Sequence, residues 1–118
     1  MRKVSKEVDT RYIACPIRQV ISKFGDKWSM LVLYTIGKSE NNVLRFSELH
    51  DHMLDCSQKM LSQTLKNLES NNLVSRKVYP VVPPKVEYRL TGMGKTLMPI
   101  LDSLIVWGNE NMNSFIKQ

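Results

Sequence analysis

Wound as a helix at about 100° per residue, the stretch after Ser57 puts Lys59, Ser62, Gln63, Lys66 and Ser70 on one side and Leu61, Leu65 and Leu68 on the other. The polar side has no carboxylate at its centre; Glu69 lies at its edge, late in the helix. A merely solvated face usually mixes both signs of charge, so this bias points to an anionic partner. A glutamine, Gln63 or the neighbouring Gln58, can bond two atoms of an adenine edge at once, and a lysine can reach guanine O6 or N7. The same side chains can instead hold phosphate oxygens, which positions a protein without specifying a sequence. Both uses imply one ligand, double-stranded DNA.

Other reactive residues carry weaker messages. Cys15 precedes Pro16 at a helix start, where free N–H groups and the helix dipole favour a thiolate, and so reactivity toward oxidants or electrophiles. The opposite reading is a small inert hydrophobe. Cys56 also precedes a helix start, and there the expectation is buried filler. His50, His52 and Cys56 invite a metal, but residues two apart on a helix point about 200° apart and cannot share one. Zinc spacings are missing too, so no metal is expected. Neither catalysis nor a cofactor is expected. No nucleophile has a base at recognisable spacing, no glycine-rich loop could cradle a phosphate, and carboxylates are scattered over polar faces.

The elements that must position these groups can be read in order. Pro16 suits a first helical turn, Ile17, Val20, Ile21 and Phe24 recur at helical spacing, and Gly25 is expected to take the left-handed position after the helix. Asp26 should cap a second helix through its carboxylate. That helix carries Trp28, Leu31, Val32 and Ile36, stops at Gly37, and is apolar nearly all round, which makes it the expected centre of the core. Residues 38–43 read as a solvated loop. Ser47 should open a third helix with Leu49 and Met53 facing inward, and Ser57 should cap the fourth. This helix-turn-helix spans about 46–71.

From about 73 to 90 the pattern changes to period two: Val86, Tyr88 and Leu90 alternate with Lys85, Glu87 and Arg89. Pro80, Pro83 and Pro84 stiffen the tip of the resulting hairpin. Arg45, Arg76, Lys77 and Lys85 flank the fourth helix and are expected to neutralise phosphates, Lys85 in a narrow minor groove. Thr91 should cap a last helix over about 92–116, kinked at Pro99. Leu97, Ile100, Leu101, Leu104, Ile105, Trp107, Met112 and Phe115 cover about half of its circumference, wider than the roughly 100° stripe one core requires. The surplus predicts a second copy of the chain as partner.

Composition sets the frame. The 118 residues suffice for one domain, and 42% hydrophobic with 24% charged residues is ordinary for a globular chain. A net charge of +6 favours polyanions. No stretch is long enough to span a membrane, and residues 1–12 read as a basic mobile arm rather than an export signal, so a cytoplasmic, nucleoid-associated location is expected. Two cysteines are too few for a disulfide framework.

Taken together, Cys15-Pro16, Gly25-Asp26-Lys27-Trp28, Arg45 to Leu49, Ser57 to Leu61, Leu73-Val74, the Tyr79-Pro80 to Tyr88 wing, Leu90 to Gly94 and Trp107-Gly108 resemble the HxlR-type, MarR-like winged helix-turn-helix regulators of bacteria. The resemblance covers nearly everything from Cys15 to Gly108. It implies a mainly α fold with a small antiparallel β wing over 13–118, forming a homodimer through the first and last helices, with Ile17, Ile21, Leu97, Leu101, Leu104, Ile105, Trp107, Met112 and Phe115 at the interface. It implies a DNA-binding regulator, a repressor of nearby genes, whose reading surface is Arg45, Ser57, Gln58, Lys59, Ser62, Gln63, Lys66, Arg76, Lys77 and Lys85. It also implies an electrophile or oxidant as effector, sensed at Cys15. Cys56 departs from the family pattern, in which that position is aliphatic. The competing class is a winged-helix module that binds protein alone, for which a carboxylate-poor reading face would be unnecessary.

Overall fold

The computed structural model describes Arg11 and residues 15–115. Most of the expected N-terminal arm, residues 116–118 and the side chain of Phe115 lie outside the described residues. The order is α1 (Pro16–Phe24), α2 (Ser29–Lys38), a 3-10 turn (Glu40–Asn42), β1 (Val43–Arg45), α3 (Phe46–His52), α4 (Gln58–Ser70), β2 (Val74–Tyr79), β3 (Lys85–Leu90), α5 (Gly92–Lys95) and α6 (Met98–Phe115).

α2 occupies the centre, as its apolar sequence requires. Val32, Leu33 and Ile36 are fully buried, and the helix packs against β3, α6, α3 and α4. The Asp26 carboxylate holds its start, accepting the N–H of Trp28 and of Ser29, both at 3.1 Å, together with the Ser29 hydroxyl. Burial alone would raise this carboxyl, but the Ser29 hydroxyl and the two N–H groups outweigh it and hold Asp26 below its ordinary value. Gly25 is not left-handed: its φ is −84°, and its N–H closes on the Ile21 carbonyl at 2.9 Å. Glycine is used there for proximity, since a Cβ would stand 2.6 Å from that carbonyl oxygen.

The expected loop over 38–43 is largely structured. Asn41 and Asn42 turn the chain with φ of 62° and 56°, a region asparagine tolerates better than most residues. The chain then enters β1, which pairs antiparallel with β3, so the hairpin belongs to a three-stranded sheet of order β1-β3-β2. α3 begins at Phe46, one residue before the expected Ser47, because Glu48 reaches back to accept the Arg45 N–H at 2.8 Å. Leu49 and Met53 face inward as expected.

α4 has both ends defined. The Ser57 hydroxyl accepts the Met60 N–H at 3.0 Å. At the other end Asn72 takes φ 62°, the Asn72 N–H bonds to Glu69 and the Leu73 N–H to Leu68, each at 3.0 Å. This is a Schellman closure with its accompanying contact between buried leucines. It delivers the chain directly into β2.

The last helix is two helices. Thr91 caps α5, its hydroxyl accepting the Gly94 N–H at 2.9 Å while donating to the Asn72 carbonyl at 2.7 Å. Gly94 is pressed onto Leu73; a Cβ there would lie 2.2 Å from the Leu73 carbonyl oxygen. The chain turns at Thr96 and Leu97 and restarts as α6 at Met98. Pro99 therefore sits in the first turn of α6, where its missing N–H costs nothing, rather than kinking a longer helix.

α1 buries no residue within α1 itself. The radius of gyration, 16.7 Å, exceeds the roughly 13.5 Å expected of a compact chain of this length.

Candidate nucleic-acid interface

α4 divides as its sequence predicts. Leu61, Thr64, Leu65 and Leu68 are buried, and Gln58, Lys59, Ser62, Gln63, Lys66 and Ser70 are exposed. Thr64 is buried without penalty because its hydroxyl donates to the Met60 carbonyl at 2.8 Å. The exposed set therefore stands on a rigid base and presents amide, ammonium and hydroxyl groups at the N-terminal half of the helix, the end with positive dipole. Ser57 has a structural duty as the cap, which leaves its O–H as the group available to a ligand.

The turn before α4 is held by backbone acceptors. His50 Nε2 donates to the Cys56 carbonyl and His52 Nδ1 to the Glu48 carbonyl, both at 2.9 Å. Cys56 is buried as expected; burial, then the nearby Asp55 carboxylate, pushes its thiol up, away from reactivity.

Between α4 and the sheet lies an open hollow of about 420 Å³ lined by Gln58, Lys59 and Ser62 on one wall and by Phe46, Val86 and Tyr88 on the other. This assigns faces to the sheet. Arg76 lies directly across from Tyr88 in the ladder, so strand alternation puts it on the α4 side. Arg45 and Lys77 lie across from Glu87, and Tyr79 from Lys85, so Arg45, Lys77 and Lys85 share the opposite face. The flanking basic residues thus form two sets, one on each face of the wing.

The outer face holds a cluster that sequence reasoning left unassigned. Glu87 accepts the Tyr79 hydroxyl at 2.9 Å and Arg89 Nη2 at 3.1 Å, and lies 3.4 Å from Lys85 Nζ. Lys77 and Lys85 stand over the Tyr79 ring at 4.9 and 4.8 Å from its centroid. The Tyr79 hydroxyl above all, joined by Lys85 and Arg89, overcomes the opposing effect of burial and holds the Glu87 carboxyl below its ordinary range. The alternation of Lys85, Glu87 and Arg89 was the signal available for finding this group. At the tip, residues 80–84 are all exposed and uncharged.

Cys15 is buried at the N-terminal boundary of α1. From there α1 runs to α4: the Asn67 amide donates to the Lys23 carbonyl at 3.4 Å, beside a hollow shared by Ser22, Lys23, Gln63 and Asn67. Ile17 and Ile21 on α1 are exposed, as are Leu104, Ile105, Trp107 and Met112 on α6. Leu101 is buried in the chain's own core and Leu97 packs against it, so these two of the expected interface residues are turned inward. Trp28 packs against the core as expected.

A family model described as HxlR-like helix-turn-helix matches residues 23–115. An HTH-type transcriptional regulator from Methanothermobacter thermautotrophicus, itself uncharacterised, is 45% identical over 100 residues, covering 85% of this chain and 73% of that protein. Among solved structures, the redox regulator HypR in its reduced form superposes with a TM-score of 0.78 at 34% identity, covering 87% of this chain and 99% of the other. The reduced form of the transcriptional regulator YodB from B. subtilis does so with a TM-score of 0.68 at 32% identity, covering 87% and 95%.

Proposed function

Because the chain belongs to the HxlR-like helix-turn-helix family of transcriptional regulators, we propose that it acts as a homodimeric repressor that binds a pseudo-palindromic operator. α4 enters the major groove, with Lys59, Gln63 and Gln58 toward base edges and Ser62 and Lys66 alongside. The wing lies against the adjacent minor groove. The observation that carries this reading is the exposed, carboxylate-poor face of α4 set on a fully buried leucine stripe. A helix that only met solvent would have no reason to exclude carboxylates from that face.

The dimer forms through α1 and α6, whose exposed isoleucines, Leu104, Ile105 and Trp107 support a shared apolar interface. The regulatory input is oxidation or alkylation of Cys15. Likeness to a redox regulator supports this assignment, and so does the position of Cys15 at the start of α1. Since the thiol is buried, the first turn of α1 must open before a reagent reaches it, and modification would then hold it open. The α1–α4 contact at Lys23 and Asn67 offers the route to the reading helix.

Selection of duplexes from a random pool, followed by footprinting, tests the DNA assignment. Two half-sites should be protected, with centres about 34–36 Å apart or a multiple of that spacing. A footprint without two-fold symmetry overturns the arrangement. For Cys15, operator release by a quinone or hypochlorite should be lost in Cys15→Ser; equal release of both proteins removes Cys15 from the mechanism.

A further inference from the structure

We propose that Glu87 is a positioning residue that sets the specificity of the wing, by holding its outer-face cations in one arrangement and cancelling part of their charge. The inference rests on the DNA-binding reading above and adds to it a residue with the wrong sign for contacting phosphate.

The geometry supports a holding role. One carboxylate binds the Tyr79 hydroxyl at 2.9 Å, Arg89 at 3.1 Å and Lys85 at 3.4 Å. Directly across the ladder on either side stand Arg45 and Lys77. Lys77 is tied to the same centre indirectly, because it and Lys85 both stand over the Tyr79 ring that Glu87 anchors. Four cations and one tyrosine therefore surround a single carboxylate whose side chain is only 15% exposed. Glu48, which lines an outer-face hollow together with Arg45, Lys85, Glu87 and Arg89, is already engaged by the Arg45 N–H.

The consequence for binding follows from counterion release. Free lysines and arginines on a hairpin attach to any phosphate backbone, and each contact adds to affinity without regard to sequence. A carboxylate placed among them weakens that general attraction. It also fixes where Lys85 and Arg89 sit, so that only a groove whose phosphates meet those positions recovers the contacts. A residue that lowers binding to every duplex, and lowers it least for the preferred shape, raises the specificity ratio.

The test compares the full-length protein with Glu87→Gln on a selected duplex and on a random duplex of equal length, across a range of salt. Glutamine keeps the size and can still accept the Tyr79 hydroxyl. Affinity for random DNA should rise about five- to tenfold near physiological salt, and the dependence of log K on log salt should steepen by about 0.9. The ratio of selected to random affinity should fall. Tyr79→Phe is the second variant, since it loosens Glu87 without altering charge: the slope should stay the same while the ratio falls. Unchanged slope and ratio in Glu87→Gln, or an unchanged ratio in Tyr79→Phe, overturns the role of Glu87. If the parent protein binds no duplex, the DNA-binding reading itself fails and this inference falls with it. A simple loss of wing structure would lower affinity for both duplexes and flatten the slope, which also overturns it.

Discussion

α4 and α6 are both amphipathic, yet only α4 closes its apolar side within the chain. Leu61, Leu65 and Leu68 are at most 1% exposed. On α6 Leu101 is buried, but Ile100, Leu104 and Trp107 remain 61%, 52% and 56% exposed. The two helices therefore carry information on opposite sides. The apolar side of α4 is fully accounted for by the core, and its meaning lies in the polar side, where α4 itself places no carboxylate among Lys59, Ser62, Gln63 and Lys66. The polar side of α6 is unremarkable, and its meaning lies in apolar surface that stays exposed among the described residues. α1 behaves like α6, with Ile17 and Ile21 exposed. One region closes within the chain; the other leaves apolar surface exposed, and on the function proposed above the first would meet DNA and the second a partner copy.

The largest expected effect separates these regions by stability. Leu65→Ala should cost about 2–5 kcal/mol of unfolding free energy, because the methyl groups removed leave a cavity that a closed core relaxes into only partly. Leu104→Ala, at a half-exposed site, should cost well under that in the separated chain. Denaturant titration of both variants checks it, and equal losses would erase the distinction between a closed and an open apolar side.

The next effect appears in assembly rather than folding. If the proposed dimer forms, the parent should sediment as a dimer at micromolar concentration and Leu104→Asp as a folded monomer, since a carboxylate buried in an apolar interface has no partner. On a two-site operator the variant should lose about 100-fold or more in affinity through lost bivalency. A variant that still sediments as a dimer moves the interface away from α6.

Much of this contrast is legible in the chain itself, and the failures have local causes. The buried and exposed sides of α4, its Ser57 cap, the central position of α2 and the two wing strands all follow from periods of 3.6 and 2 that persist over six residues or more. β1 does not, because Val43–Arg45 is too short to show a period and is a strand only through pairing with β3. The break between α5 and α6 also escapes local pattern. It arises where Gly94 docks on the Leu73 backbone, a contact made by residues distant in sequence, and Pro99, the natural suspect for a kink, begins the next helix instead. The division of wing cations between two faces needed the ladder register. Lys77 and Arg76 are adjacent in sequence and point to opposite sides.

A smaller effect distinguishes reading from positioning within the closed region. Gln63→Ala should cost about 1–3 kcal/mol on the selected operator and little on random DNA if the amide reads a base. Lys85→Ala, on the outer face of the wing, should weaken all duplexes and lower the salt slope by about one phosphate contact. Equal loss on both duplexes for Gln63→Ala would make it a positioning contact, and α4 would then carry less of the specificity than its polar face suggests.

The smallest effect concerns Asp26, at the start of the helix on which both regions rest. Its carboxylate accepts two N–H groups and the Ser29 hydroxyl, and its folded-state pKa lies below the ordinary aspartate value. In the acidic range the unfolded chain therefore binds more protons at this position than the folded one. The stability Asp26 contributes is complete above the ordinary aspartate range and is lost as pH falls through the lowered value. Protonation converts an acceptor of three hydrogen bonds into a weaker acceptor, and the first turn of α2 loosens where it meets α4. Denaturation midpoints measured from neutral to strongly acidic pH should fall along a limb that is shallower in Asp26→Asn, with the difference between the two proteins shrinking as pH drops. Because Asp26 is largely solvated, the change should be modest, and DNA affinity at neutral pH should be nearly the same for both. A difference that instead grows toward acid pH would mean that the carboxylate opposes folding in its ionised form, and the cap would have to be assigned to other groups at the start of α2.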